Sequence, residues 1–104
     1  MNSLDRESEL LQALKNHEEQ AYQFAVRKYS GGMLATARRL VDRATAEDMV
    51  QDAWVTVVDA IDGFEQRSSL QTWLNTITAN RARSRLRRSW RELSLDEQDI
   101  ESDF

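Results

Sequence analysis

The chain has 104 residues, with 14 basic and 18 acidic side chains, no cysteine, no proline and three glycines. That length suits one domain with one modest core, and the lack of cysteine excludes disulfides and thiolate metal sites. No apolar run approaches the roughly 20 residues needed to span a membrane, and the charged start MNSLDRESELL does not read as a signal peptide. The expectation is a soluble, cytoplasmic protein with no membrane insertion.

The formal net charge of -4 hides an asymmetry. Six arginines fall between Arg81 and Arg91, and six acids with no base follow from Glu92 to Asp103. Without that tail the chain holds 14 basic and 12 acidic residues, a net charge of +2. A concentrated cationic end suggests a polyanionic partner; a solvated helix end whose cations suit the helix C-terminus explains it equally well.

Apolar residues recur at threes and fours and strand-like alternation is absent, so an all-α, compact bundle of three to four helices is expected. The first helix runs from about Leu4 to Lys15 on a stripe of Leu10, Leu11 and Leu14, and Asn16-His17 breaks it. A second starts near Glu18 and turns Ala21, Tyr22, Ala25, Val26 and Tyr29 inward. Gly31-Gly32 should kink or interrupt it before it resumes through Met33, Leu34, Ala37, Leu40 and Val41. The third, about Ala46 to Asp62, takes Thr45 as N-cap, with Glu47 and Asp48 in the first turn and Val50, Ala53, Trp54, Val57 and Ile61 on its core face. Gly63 is expected to end it as a C′ glycine. After the loop Phe64-Glu65-Gln66-Arg67, a fourth helix opens at Ser68 or Ser69, with Ser68 and Gln71 as a capping box, and runs to about Arg91. Leu70, Trp73, Leu74 and Ile77 anchor it. The acidic remainder reads as a linker or frayed tail.

Three constellations stand out. Asp48, Gln51 and Asp52 share one face of the third helix, and Val55 and Asp59 continue it, opposite the core stripe. Such a face is either simply solvated or a docking surface for a basic partner, since carboxylates take bidentate hydrogen bonds from arginine. On the fourth helix, Ser69, Thr72, Thr76, Asn80, Arg83 and Arg87 form one polar stripe, with short polar groups first and arginines last. Short polar side chains can read base edges and arginines can neutralise phosphates. Between the two, Phe64, Arg67, Ser68 and Ser69 line a loop whose free amides favour an anion. Phe64 there either holds an unstacked base or packs between two helices.

Catalysis finds no support. His17 is the single histidine and lies in a polar break, so no nucleophile, base and orienter can be assembled. Asp48 and Asp52 alone are a weak metal site, and no glycine loop for phosphate is present. Neither a catalytic residue, a metal nor a cofactor is expected.

The run from Ala46 to Arg88, AEDMVQDAWVTVVDAIDGFEQRSSLQTWLNTITANRARSRLRR, resembles the promoter-melting domain of bacterial sigma factors of the extracytoplasmic-function (ECF) type. The likeness lies in AEDxVQ(E/D), a spaced Phe, then SxxTWLxxIxxN and a basic end. The resemblance implies a non-enzymatic initiation factor that binds the RNA polymerase core and recognises and melts the promoter −10 element. It implies that Asp48, Gln51 and Asp52 meet a coiled coil of the polymerase's largest subunit, and Val55 and Asp59, which continue the same face, are expected to bind the polymerase with them. It implies that Phe64, Arg67, Ser68, Ser69, Thr72, Trp73, Asn75, Thr76 and Asn80 meet the non-template strand of the −10 element, and Arg83 and Arg87, at the basic end of the stripe, are expected to meet its phosphates. An anti-sigma factor is a further partner by resemblance, and a monomer is expected when free.

Two positions depart from the family's habit: Thr76 often stands as arginine and Arg81 as an apolar residue. The few aromatics, Phe64 and Trp73, imply weak melting by stacking. The expected division is a helical domain at 1–91 and an acidic linker at 92–104, without the −35-reading domain that normally follows. Other readings of the same residues are a generic helical nucleic-acid binder and a protein-interaction module bound by a regulator.

Overall fold

A computed structural model describes residues 3–102, with side chains from Arg6 to Ser94. The chain folds as α1 (Ser3–Lys15), α2 (Glu19–Arg38), α3 (Arg43–Ala60), one 3-10 turn (Ile61–Gly63) and α4 (Leu70–Ser102). No strand occurs among the described residues, in line with the periodicity. None of the described helices is long and apolar enough to cross a membrane.

The helices α2, α3 and α4 pack against one another, while α1 lies against α2 and the 3-10 turn. Their close approach follows from small residues at the contacts. Ala25, Ala37, Ala46, Ala53 and Ala82 are fully buried. Around them Leu11, Leu14, Met33, Val57, Ile61, Phe64, Leu70 and Leu74 supply the bulk. The predicted core stripes of the four helices hold, except that Val26 is exposed and that Leu40 and Val41, expected on the second helix, lie beyond its end at Arg38.

The turn after α1 falls at Asn16-His17, as expected. His17 adopts a left-handed conformation (φ 57°), its N–H donates to Leu14 O, and the Glu18 N–H donates to Ala13 O. This is the paired bonding that closes a helix C-terminus in a Schellman motif.

Local chemistry decided several boundaries differently from expectation. α2 runs unbroken through Gly31-Gly32, because tertiary packing offsets the entropic penalty of the two glycines. Asp42, not Thr45, caps α3, and its carboxylate accepts the Thr45 N–H at 3.0 Å. Gly63 is not left-handed; it closes the 3-10 turn, and the positive φ in this region belongs to Gln66 (58°). The fourth helix is capped by Ser69, whose Oγ accepts the Thr72 N–H at 3.2 Å. The capping box with Ser68 does not form, because Gln71 turns its amide to Tyr29 O and to Asn75. Finally, α4 continues to Ser102, past the helix end expected at about Arg91. Ala82 is its last buried residue among those whose side chains are described.

Candidate functional site: two faces and a loop

The packing of α3 turns Ala46, Met49, Val50, Ala53 and Val57 into the protein and leaves the opposite side to solvent. Asp48, Gln51, Asp52, Val55 and Asp59 are all exposed on that side, as their spacing predicts. Val55, 68% exposed, is an apolar centre among acids. None of the three carboxylates is ion-paired with a described residue. An uncompensated acidic face with an apolar spot can receive a basic surface, and the long-range attraction would speed the encounter. Beside this face, Ser30, Gly31, Leu34, Glu47, Val50 and Gln51 line a shallow cleft of about 350 Å³ between α2 and α3.

On α4 the polar stripe exists as read from the sequence. Ser69, Thr72, Thr76, Asn80, Arg83 and Arg87 are all exposed. Its members are partly pre-arranged. The Ser69 hydroxyl donates to Thr72 Oγ1 at 3.0 Å, Arg83 Nη1 donates to Asn80 Oδ1 at 3.3 Å, and Arg87 Nη2 donates to Ser84 Oγ at 3.1 Å. Thr76 donates its hydroxyl back to Thr72 O at 2.9 Å, so its free capacity is that of an acceptor and a methyl group. Asn75 stands off the stripe: it is half-buried, and its Oδ1 accepts from Gln71 Nε2 at 2.9 Å.

The loop between the two faces forms an open cleft of about 220 Å³ lined by Gly63, Phe64, Glu65, Arg67, Ser68 and Trp73. Phe64 is 5% exposed and its ring centroid lies 4.7 Å from that of Trp73, at an interplanar angle of 31°. This burial fits the packing reading of Phe64, whose ring forms the floor of the cleft. Half-buried Trp73 forms the wall. Arg67 and Ser68 are exposed at the rim, and Arg67 pairs with Glu65 at 3.0 Å across solvent, a contact weak enough to be exchanged for a ligand.

The anion-binding amides expected at the start of α4 are not all free. The Thr72 N–H is bound to Ser69 Oγ, and the Leu70 N–H donates to a carboxylate oxygen of Glu7, from α1. Sequence reasoning assigned α1 only a packing stripe and missed this contact, which joins residues 63 positions apart.

Arg81 stands where the resemblance leads one to expect an apolar residue. It is exposed and donates from Nε to Thr56 Oγ1 of α3 at 3.1 Å, with Nη2 on the same oxygen. This arginine ties α4 to α3. Among the described residues no three His, Cys, Asp or Glu side chains converge to hold a metal ion.

Comparison with known proteins places this geometry in context. The family described as Sigma-70 region 2 matches residues 25–92. The RNA polymerase sigma-H factor of Pseudomonas aeruginosa is 28% identical over 87 residues, covering 83% of this chain and 45% of that protein. The ECF RNA polymerase sigma-E factor of Escherichia coli K12 is 27% identical over 77 residues, 74% of this chain and 40% of its own length. That of Haemophilus influenzae is 26% identical over 77 residues, covering 74% and 41% respectively. The chain thus spans less than half the length of each of these relatives.

Proposed function

Because this chain belongs to the sigma-70 region 2 family, we propose that it joins RNA polymerase to the melted −10 element of a promoter during transcription initiation. It acts by binding and selection rather than by catalysis, in the cytoplasm, where the polymerase works.

One observation carries the reading: two chemically opposite faces are displayed on adjacent, packed helices. The α3 face offers Asp48, Gln51, Asp52 and Asp59 around exposed Val55. It docks on the polymerase core, at a coiled coil of the largest subunit, where basic side chains meet the carboxylates. The α4 face offers Ser69, Thr72, Thr76 and Asn80 to base edges and Arg83 and Arg87 to phosphates. It follows the non-template strand as the duplex opens. An unstacked base enters the loop cleft, against Trp73 and under the rim of Arg67 and Ser68; contact with an aromatic wall is worth roughly 1–3 kcal/mol per base. Thr76 and Asn80 follow on the same stripe, so adjacent bases are met in order along α4. A regulator of the anti-sigma kind would silence the module by covering either face.

Reversing one charge separates the two roles. Asp52→Arg should weaken association with core polymerase by tenfold or more, on the order of one lost charge-assisted contact plus repulsion. Binding of single-stranded DNA by the polymerase-bound fraction should be unchanged. Retention of full polymerase affinity in this variant would exclude the docking face. For the DNA face, the complex with core polymerase is presented with a randomised pool of single-stranded DNA. Recovery of one enriched sequence is expected, and a pool recovered without enrichment would exclude −10 reading.

A further inference from the structure

The loop that borders the cleft is held at three points by one helix outside residues 25–92, the part that matches the family. Lys15 Nζ donates to Phe64 O at 3.0 Å, where the loop starts. Gln66 Nε2 donates to Ser8 Oγ at 3.2 Å in the middle, at the one loop residue with positive φ. The Leu70 N–H donates to Glu7 Oε1 where the loop ends and α4 begins. Glu7, Ser8, Leu11, Leu14 and Lys15 recur at helical spacing and lie on one side of α1. Leu11 and Leu14 are buried in the same core cluster as Phe64 and Leu70. The contact side of α1 therefore has an apolar centre that fixes its position and three polar groups that fix the loop.

These contacts are selective in what they leave open. They engage main-chain groups of Phe64 and Leu70 and the side chain of Gln66. Arg67, Ser68 and the outer side of Trp73 stay available on the cleft. The Glu7 carboxylate also meets the positive end of α4, where a negative charge is favoured and a charge-assisted hydrogen bond is strong. A loop residue held left-handed without being glycine needs such external support, since that backbone region costs a non-glycine side chain free energy.

From this geometry we infer that α1 is a positioning element for −10 reading, with Glu7 as its principal residue and Ser8 and Lys15 as its aids. α1 presets the loop so that a base meets a formed cleft. The inference rests on the proposed role of the loop. It adds that promoter discrimination depends on a helix that touches no DNA.

The test uses the whole chain, alone and bound to core polymerase, with Glu7→Ala and Glu7→Gln. Glutamine keeps an acceptor for the Leu70 N–H; alanine does not. In the free chain, amide hydrogen exchange followed by NMR should accelerate about tenfold or more at Leu70 in Glu7→Ala. Amides of Ala25 and Val57 should keep their protection, and Glu7→Gln should restore most of the loss. Unchanged exchange at Leu70, or acceleration spreading evenly into α2 and α3, would overturn the inference, since α1 would then be either unconnected to the loop or merely part of the core.

On polymerase, the probes are the oligonucleotide enriched by the parent chain and a scrambled version of it. Glu7→Ala should reduce their affinity ratio about tenfold while polymerase affinity stays constant; an unchanged ratio also overturns the inference. Should the parent chain enrich nothing, the −10 reading fails, and the exchange data still decide whether Glu7 holds the loop.

Discussion

Gly32 on α2 and Gln71 on α4 share one space: a Cβ at position 32 would lie 2.7 Å from Gln71 Nε2. The amide occupies the place a side chain would take, and from there it donates to Tyr29 O at 3.3 Å and to Asn75 Oδ1 at 2.9 Å. Gly31, its neighbour, has nothing within 4 Å of the same atom. Two adjacent glycines in one helix thus carry different constraints. Gly31→Ala should stabilise the protein by about 0.5–1 kcal/mol, the usual gain in a helix interior. Gly32→Ala should gain about 1 kcal/mol less, because it displaces Gln71 and breaks its two bonds. Urea denaturation of the two variants measures the difference, and equal gains would mean that Gln71 rearranges freely.

The same pair of residues shows where sequence reasoning ends. A glycine pair read locally is a helix interruption; only α4 lying across α2 makes Gly32 a contact. The two exposed faces were legible because a helix converts spacing into direction, and both Asp48–Gln51–Asp52 and Ser69–Thr72–Thr76–Asn80 obey that conversion. The caps were less so. Asp42 and Thr45 are both good N-cap residues three positions apart, and local sequence does not choose between them. Phe64 beside a loop fits a base platform as well as a core anchor, until Trp73 is found 4.7 Å away. The hold of Glu7 on Leu70 joins residues 63 positions apart, and no periodicity reports it.

The α3 cap has a pH signature. Hydrogen bonds from Thr45, first through its side chain and then through its backbone N–H, hold the Asp42 carboxyl below its ordinary value. A depressed folded pKa means that the ionised group stabilises the folded state. That contribution is fully present above the unfolded value, about 3.9, and is lost as pH falls through the lower folded value. Asp42→Asn retains a capping oxygen but does not titrate there. Wild-type Tm should therefore fall more than that of Asp42→Asn as pH drops from about 5 to about 3. Parallel thermal scans of the two proteins across this range test it, and curves of identical slope would show that the cap does not depend on ionisation.

Salt dependence separates the arginines by direction. Arg83 and Arg87 are exposed on the α4 stripe, whereas Arg81 turns to Thr56 of α3. A contact that neutralises one phosphate of a single strand contributes about 0.7 to the slope of log K against log salt. Each of Arg83→Gln and Arg87→Gln should flatten that slope by about 0.7 for an oligonucleotide bound by the polymerase complex. Arg81→Gln should leave the slope nearly unchanged. Its cost falls instead on the joint between α3 and α4, as a stability loss on the order of 1 kcal/mol or less for an exposed hydrogen bond. A slope that drops equally for all three would mean that Arg81 leaves Thr56 when nucleic acid binds, and that the helix joint yields to the strand.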